Sequence, residues 1–343
     1  MPVNKVIGGE FKISPDVLTG VCHNDLIPSY SLGRTCLYNI LQCIMNSTRK
    51  ADGNSIRVLL PDYICISVAE VVKRLGLSVI HYHVGTDLYP DIHSIDEVIS
   101  DCECIVLVSY FGMVNPDDTA WYIRKNYPSV KIIIDDVQDF YGFGKHSDYD
   151  YCFTSYRKWF CSPDGAEIIQ KDGQDLKPKC ESAPDYVQLK FTGNLLKNYS
   201  EWLGEKYLLE LIDKGESLMD KEYLYRCSDI SREIIRRIDL NKAAVIRKRN
   251  AKILHEGLLK LGVNHVYEEN SVPMFVPVIV ANRNDMRKHL FSYNIFAPIH
   301  WPVSDARMQG DNELYSTELS LICDQRYDEV DMKRILREIE NAI

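Results

Sequence analysis

In the first half of the chain, apolar residues recur either with a helical period of three to four or in short continuous runs. The helical period predicts helices over residues 33–46, 66–75 and 119–126. The short runs predict strands over residues 55–60, 77–84, 105–110 and 132–134. Strands and helices that alternate in this way form a parallel or mixed sheet covered by helices, which indicates the α/β class.

The pattern changes after residue 158. It predicts two long helices over residues 188–211 and 230–261, then a strand over 274–280 and helices over 283–293 and 331–343. This order suggests a smaller α+β unit packed behind the first. We therefore expect a large domain over residues 1–240 and a small C-terminal domain over residues 241–343.

Composition narrows the class of protein. The 343 residues are 45% hydrophobic and 26% charged, which is ordinary globular material with enough chain for a sizeable core. The formal net charge of −9 argues against a nucleic-acid surface, which would need a basic face. Eleven cysteines without a CxxC pair indicate neither a disulfide framework nor a zinc ribbon. The N-terminus lacks a signal-peptide core and no run approaches ~18 apolar residues, so we expect a cytoplasmic protein without a membrane partner.

An acid and a lysine stand at the ends of two successive predicted strands. Asp135 follows an apolar run typical of a central parallel strand, and Lys158 follows 23 residues later, which leaves room for one further strand. Because ligands of open α/β sheets bind at the carboxyl ends of strands, both side chains can reach one pocket. A pyridoxal phosphate (PLP) enzyme needs an amine for the Schiff base and a carboxylate that keeps the pyridine nitrogen protonated. Asp136 is an alternative to Asp135, because adjacent strand residues face opposite sides.

A second candidate is the start of the helix predicted from residue 33. Gly33, Arg34 and Thr35 would offer free backbone N–H groups, a guanidinium and a hydroxyl, which together suit a phosphate group. An ordinary helix cap is the alternative interpretation. With the lysine and the aspartate downstream, the cofactor phosphate is the better explanation.

Other site motifs are incomplete. Gly142 and Gly144 lack the third glycine of the dinucleotide fingerprint, and no Walker loop is present. His81 and His83, with Asp87 nearby, could place two imidazoles toward a metal ion, but two side chains without a clear third ligand rarely close a site. We therefore predict no metal.

In their order along the chain, these segments resemble the DegT/DnrJ/EryC1/StrS family of PLP-dependent sugar aminotransferases, which belongs to fold-type I, the aspartate aminotransferase superfamily. Residues 33–37 are similar to the family's Gly-Thr-Ala-Ala-Leu, residues 60–63 to its Pro-Ser-Tyr loop, and residues 135–138 to its Asp-Ala-Ala-Gln. Residues 164–166 resemble its Glu-Gly-Gly, and residues 225–230 its Asn-Tyr-Arg-Met-Ser-Asp-Ile. The resemblance implies a mixed, mostly parallel sheet sandwiched by helices, with a smaller C-terminal α+β domain.

The resemblance also implies roles for single residues. Lys158 would be the Schiff-base lysine, Asp135 the partner of the pyridine nitrogen, and Gln138 a ligand of the ring hydroxyl or of the ring face. Thr154 and Ser155 would reach the phosphate. The other implied positions are an aromatic stack near Tyr63, where strict alignment puts Cys65, and substrate or partner-subunit contacts from Tyr225, Arg226, His300 and Trp301.

The family implies an aminotransferase that moves an amino group from glutamate to a nucleotide-linked keto sugar, for surface polysaccharide or glycosides, in a homodimer with shared active sites. The chain departs from the family at Leu224, where an asparagine usually contacts the neighbouring subunit's phosphate, and at Arg34, which replaces a threonine. Two alternatives stay open: a PLP-binding regulator without turnover, and a sugar dehydratase relative. Dehydratases carry histidine in place of the lysine, so Lys158 argues against the second.

Overall fold

The computed structural model describes residues 5–48, 55–172, 176–181, 185–203 and 205–343. Its strands are β1 (Ile7–Gly8), β2 (Arg57–Pro61), β3 (Ser78–Tyr82), β4 (Cys104–Val108), β5 (Lys131–Asp135), β6 (Tyr151–Ser155), β7 (Ala166–Gln170), β8 (Phe275–Ile279), β9 (Ile295–Phe296) and β10 (Glu318–Ile322). The helices of the first half are α1 (Pro15–Thr19), α2 (Gly33–Ser47), α3 (Ile66–Arg74), α4 (Ile92–Asp96) and α5 (Asp117–Asn126). Those of the second half are α6 (Tyr186–Leu196), α7 (Ser200–Leu203), α8 (Glu205–Met219), α9 (Asp229–Arg236), α10 (Leu240–Leu261), α11 (Arg283–Ser292), α12 (Ala306–Gln309), α13 (Leu314–Thr317) and α14 (Glu329–Glu340).

Six strands form the main sheet in the order β3-β2-β4-β5-β6-β7. The first five are parallel, and β7 runs antiparallel to β6. Asp135 pairs in register with Val108 of β4 on one side and with Phe153 of β6 on the other. The carboxyl ends of β4, β5 and β6 therefore meet at one edge of the sheet, as the alternation of strands and helices predicts.

Both faces of this sheet are buried. Leu107, Ile132 and Ile134 face a core shared with α5, whereas Val106 and Ile133 face a second core shared with α2 and α3. This arrangement explains why β4 and β5 read as continuous apolar runs rather than as alternating ones. Each fully buried aliphatic side chain stabilises the fold by about 1.5–3 kcal/mol. The main sheet is therefore held firmly between two buried cores.

A second unit packs beside the main sheet. Its strands β8 and β10 are antiparallel, and apolar residues of α10, α11 and α14 pack in the same core as one face of the main sheet. The N-terminal strand β1 pairs in parallel with β9, so the start of the chain joins this unit. The division at residue 240 stays a prediction.

The helix predicted over residues 188–211 is wrong as a single element. The structure has α6, a short 3-10 turn (Lys197–Tyr199), α7 and the start of α8 in this range. Helices α6 and α8 pack against each other, and Gly193 allows the close approach, because a Cβ there would lie 2.7 Å from Ile212 Cγ1. The apolar stripe that suggested one helix is thus divided between two helices that pack together.

The helix predicted over residues 230–261 is likewise two helices, α9 and α10. Asp239 has an extended ψ of 92° and its side chain accepts a hydrogen bond from the Lys242 amide. This is an N-cap, which starts a new helix because it satisfies an amide that has no partner in the preceding turn. The other predicted elements agree with the structure to within a few residues.

Candidate active site

A cavity of about 730 Å³ opens at the carboxyl ends of β4, β5 and β6. Its wall includes the last residue of each of these strands, the first turn of α2 and the first two turns of α3. The cavity lies within the range of small-molecule sites, roughly 300–1,000 Å³. Asp135 and Lys158 both line it, as the sequence predicts.

Lys158 ends a 3-10 turn (Tyr156–Lys158) that follows β6 directly. The next residue, Trp159, is fully buried, and its indole Nε1 donates to the Val137 carbonyl at 3.0 Å. This hydrogen bond connects the turn to the segment that follows β5. The Lys158 side chain is accessible within the cavity. Its amine has no hydrogen bond or ion pair in the described part of the chain. The charge of the adjacent Arg157, followed by burial, lowers the pKa of the Lys158 amine, which favours the nucleophilic free base.

Arg157 was not predicted from the sequence. It lines the same cavity and lies 3.4 Å from Glu216, which in turn forms an ion pair with the buried Lys190. Although burial of the Glu216 carboxyl opposes ionisation, Arg157 and Lys190 lower its pKa to about 2, so it stays charged. This chain of ion pairs holds Arg157 beside Lys158. Glu216 lies 58 residues beyond Lys158 in sequence, so only tertiary packing brings them together.

The choice between Asp135 and Asp136 depends on which side of β5 each residue occupies. Asp135 lines the cavity, accepts one hydrogen bond from the Val137 amide at 2.9 Å, and keeps its other oxygen without a partner among the described residues. Burial raises the pKa of Asp135 to about 7. A cationic group in the cavity would therefore find an acceptor here that the protein itself leaves open.

Asp136 points away from the cavity into a polar network. It accepts hydrogen bonds from Ser109 Oγ at 2.6 Å, Cys152 Sγ at 2.8 Å and His146 Nε2 at 3.0 Å, and His146 Nδ1 lies 2.7 Å from Asp117. Burial opposes protonation of His146, but the two carboxylates outweigh it and raise the histidine pKa to about 9. Asp136, His146 and Cys152 have the spacing of a metal cluster. A doubly hydrogen-bonded imidazolium has no lone pair for a metal, so we assign the cluster a structural role.

The start of α2 fits a phosphate group. The N-cap residue Leu32 makes no side-chain cap, so the first amides of α2 have no capping side chain among the described residues, and Gly33, Arg34 and Ser155 line the cavity wall there. A Cβ on Gly33 would lie 3.0 Å from Val137 Cγ2, so glycine keeps this corner open. Arg34 Nη1 lies 3.0 Å from Asp220 at the rim. Backbone amides at a helix N-terminus with a guanidinium nearby are an anion-binding arrangement. Together with Asp135 and Lys158, these residues fit PLP.

Besides Asp136, three predicted cofactor contacts are not at the cavity. Thr35 Oγ1 is buried and bonds with Ser31 Oγ at 3.0 Å, and Thr154 Oγ1 donates to the Asp136 carbonyl at 2.8 Å. Thr154 faces away because residues of a strand alternate, and Ser155 takes the inward position. Tyr63 is fully buried against Tyr110, Trp301 and Tyr315, whereas Cys65, the position given by strict alignment, lines the cavity. The structure therefore does not bring Thr35, Thr154 or Tyr63 to the cavity.

Gln138 lines the cavity and is itself largely buried. Its Oε1 accepts from the Phe111 amide at 3.1 Å, which orients the side chain. The Phe111 backbone has a φ of 57°, a left-handed conformation that is uncommon for a non-glycine residue and that this bond helps to hold. Gln138 thus presents its amide group to the cavity in a defined orientation.

His300 and Trp301 reach the cavity from the second unit. His300 Nδ1 lies 2.8 Å from Ser320 Oγ, and Ser320 donates to the buried Glu318. The serine hydroxyl has one hydrogen, which it donates to Glu318, so its oxygen accepts the hydrogen of His300 Nδ1. The other ring nitrogen, Nε2, is then an acceptor. Burial, followed by the charge of Lys158, lowers the pKa of His300 to about 3, so the ring is neutral at physiological pH. Trp301 packs on the Tyr63 ring with centroids 5.1 Å apart.

Tyr225 and Arg226 lie away from the cavity wall. Tyr225 bridges to Cys180, and Arg226 forms an ion pair with Asp229 at 2.7 Å. The neighbouring Leu224 is half exposed. The predicted role of Tyr225 and Arg226 in a partner subunit stays a prediction.

The two histidines that suggested a metal site do not share a partner among the residues that the structure describes. His83 Nδ1 lies 2.7 Å from Asp62, whereas His81 Nε2 lies 3.1 Å from the Met308 carbonyl, so the two imidazoles face different partners. Within the described residues, no helix combines the length and the apolar character needed to cross a membrane.

Comparison with known proteins identifies the fold. No family model matches the chain, and no curated protein does. A DegT/DnrJ/EryC1/StrS aminotransferase from Brucella abortus matches with a TM-score of 0.66 at 16% identity, over 96% of this chain and 91% of its own. Spr1654 of Streptococcus pneumoniae, assigned as a sugar aminotransferase and solved in a PLP form, matches at 0.67 with 12% identity, over 98% and 93%. PseC of Helicobacter pylori, an aminotransferase of pseudaminic acid biosynthesis, matches at 0.65 with 11% identity, over 92% and 85%. These likenesses confirm the predicted fold-type I fold.

Proposed function

We propose that this chain is a PLP-dependent sugar aminotransferase of the DegT/DnrJ/EryC1/StrS family. The observation that carries the proposal is the convergence of Lys158 and Asp135 on one cavity beside the uncapped start of α2. PLP requires an amine, a carboxylate and an anion site from a protein. Here the Lys158 amine has no partner among the described residues and a lowered pKa, and the buried Asp135 carboxyl and the start of α2 lie at the same cavity.

Each residue would contribute one function at the site. When bound, PLP supplies an electron sink that stabilises negative charge at a substrate carbon. Asp135 would hold the proton on the pyridine nitrogen, and the α2 amides, Arg34 and Ser155 would hold the phosphate. The Lys158 amine would anchor the cofactor and, once released, move a proton at the substrate carbon. Neutral His300 would accept a hydrogen bond where the cavity wall lies beside Lys158.

We further propose that glutamate donates the amino group and that a nucleotide-linked keto sugar accepts it. The support is the sequence resemblance, together with the sugar aminotransferases among the solved structures of the same fold. We also propose a cytoplasmic homodimer in which Tyr225 and Arg226 contribute to the partner's site. The support is the similarity of residues 225–230 to the family segment that reaches the neighbouring subunit.

Cofactor attachment tests the first part of this proposal. After incubation with PLP and reduction with borohydride, peptide mapping should find the pyridoxyl group on Lys158. Lys158→Ala should abolish the label, and Lys145→Ala, which changes an exposed lysine of the same region, should retain it. A label on another lysine in the wild-type protein would contradict the assignment.

Turnover separates an aminotransferase from a PLP-binding regulator. Glutamate added to the PLP-loaded protein should yield one equivalent of 2-oxoglutarate per site, and a subsequent panel of nucleotide-linked keto sugars should identify the acceptor. A protein that carries the label on Lys158 but releases no 2-oxoglutarate would support the regulator.

A further inference from the structure

A second cavity, of about 460 Å³, lies on the other side of Lys158. Part of its wall is formed by residues 9–11, by two residues of helix α11, and by residues 296–298 and 300. It shares Arg157, Lys158, Met274 and His300 with the first cavity, so the two spaces meet at the reactive amine. The second cavity is large enough for a small organic ligand.

This cavity is cationic although the whole chain is acidic. Among the described residues, four arginines and Lys158 line it, together with two carboxylates, those of Glu10 and Asp324. Three of the arginines already have acceptors. Arg326 pairs with Asp324 at 2.7 Å, Arg157 lies 3.4 Å from Glu216, and the buried Arg247 donates to the carbonyls of residues 159, 273 and 274.

The fourth arginine, Arg287 on α11, is different. Its Nε donates to the Ala297 carbonyl at 3.2 Å, and its guanidinium lies 4.4 Å from the centre of the Phe291 ring. These two contacts orient the group, yet the described residues provide no carboxylate and no other acceptor for its two terminal nitrogens. A planar guanidinium held on one edge and open on the other is suited to binding a carboxylate with two parallel hydrogen bonds.

We propose that Arg287 binds a carboxylate of the amino donor, and that the second cavity is the donor site. The inference rests on the proposed aminotransferase function, because it assigns the donor a position between Arg287 and Lys158. A carboxylate on Arg287 would direct the rest of an amino acid toward Lys158 and His300, which line the same cavity. The aromatic side chains Phe275, Phe291 and Phe296 would cover its carbon chain.

Binding of glutarate, a dicarboxylate without an amine, tests the site without turnover. Isothermal titration calorimetry on the full-length protein, with PLP and without it, should show glutarate binding that weakens as salt is added. Arg287→Gln should weaken this binding by about tenfold or more, the range expected for a hydrogen-bonded charge pair. Lys288→Gln is the matched control, because Lys288 is the exposed next residue of α11 and does not line the cavity. It should leave the affinity unchanged.

The outcomes separate this proposal from the proposed function. Four results would each overturn the donor site. The first two are an equal loss of glutarate affinity in both variants and an unchanged affinity in Arg287→Gln. The others are a wild-type protein that does not bind glutarate and one that binds inorganic phosphate more tightly than glutarate. If Arg287→Gln does not fold, Arg287→Lys serves instead, and it should bind glutarate more weakly than the wild type because lysine lacks the fork. Glutamate turnover with an unchanged KM in the Arg287 variant would refute the donor site and leave the aminotransferase standing. Arg287-dependent glutarate binding without turnover would refute the aminotransferase and leave Arg287 only as a carboxylate-binding residue.

Discussion

Replacement of Asp135 by asparagine should stabilise the cofactor-free protein while it removes most of the amino transfer. The carboxyl is buried in the cavity wall and one of its oxygens has no partner among the described residues. Burial raises its pKa from an ordinary value of 3.8 to about 7, so the folded chain holds this proton more tightly than the unfolded chain does. Ionisation of Asp135 therefore opposes folding.

The sign and size of the effect follow from proton linkage. Because the folded-state pKa is the higher one, the free energy of unfolding falls as the pH rises above about 4, and the loss is complete above about pH 7. At about 1.4 kcal/mol per pKa unit, the full cost is about 4 kcal/mol. Asparagine carries no charge, and its side-chain oxygen can still accept from the Val137 amide. We expect Asp135→Asn to raise the free energy of unfolding by about 1–3 kcal/mol at pH 8, with the full cost as an upper limit.

Urea denaturation of the cofactor-free protein at pH 5 and pH 8 measures this difference. The advantage of the asparagine variant should be larger at pH 8 than at pH 5. Asp136→Asn is the matched control, since it changes the neighbouring carboxylate but leaves the charged His146 without one of its two partners. We expect it to destabilise the protein by about 3–5 kcal/mol, the cost of breaking a buried ion pair.

The same Asp135 variant should lose activity. Without the carboxylate, the pyridine nitrogen would no longer be held protonated, and we expect the glutamate half-reaction to slow by about two orders of magnitude or more. An Asp135→Asn protein that is less stable than the wild type at pH 8, or that reacts at the wild-type rate, would refute the assignment of this carboxylate to the cavity. If Asp136→Asn lost more activity than Asp135→Asn, the role of partner to the pyridine nitrogen would belong to Asp136.

Three further predictions concern other parts of the molecule. His300→Asn should lower the rate of the glutamate half-reaction but leave its pH profile unchanged between pH 6 and pH 9, because a ring with a pKa of about 3 does not titrate there. If the variant lost a pH-dependent step that the wild type shows in this range, His300 would be shown to titrate there. Asn250→Ala should lower the free energy of unfolding in urea by about 2–3 kcal/mol, because this fully buried amide donates to the carbonyls of residues 323, 324 and 327; a change below 0.5 kcal/mol would contradict the importance of these bonds. A mixture of Arg226→Ala subunits and Lys158→Ala subunits should regain activity if the two residues act across a dimer interface. If activity does not recover after subunit exchange has been confirmed, the result counts against shared sites.

The local pattern of the sequence was sufficient for four of the six strands of the main sheet, β2 to β5, and for one pair of site residues. Continuous apolar runs predicted β4 and β5 because both faces of these strands are covered. Parallel strands end at the same edge of a sheet, so the sequence alone predicts that Asp135 and Lys158 converge. Helix breaks were harder to predict: the caps at residues 237–239 interrupt a stripe that stays apolar, so the pattern alone favoured one long helix.

Only the tertiary structure decided which side of β5 faces the cavity. Alternation along a strand places Asp135 and Asp136 on opposite sides, but it does not say which side carries the site, because that depends on the layers that pack above and below. The contacts around Lys158 have the same origin. Glu216 and Arg287 lie 58 and 129 residues beyond it, and long-range packing brings them to its two cavities. This proximity leaves no periodic signal in the sequence, because the packing of whole elements, rather than local neighbours, brings each of these side chains to a cavity that Lys158 also lines.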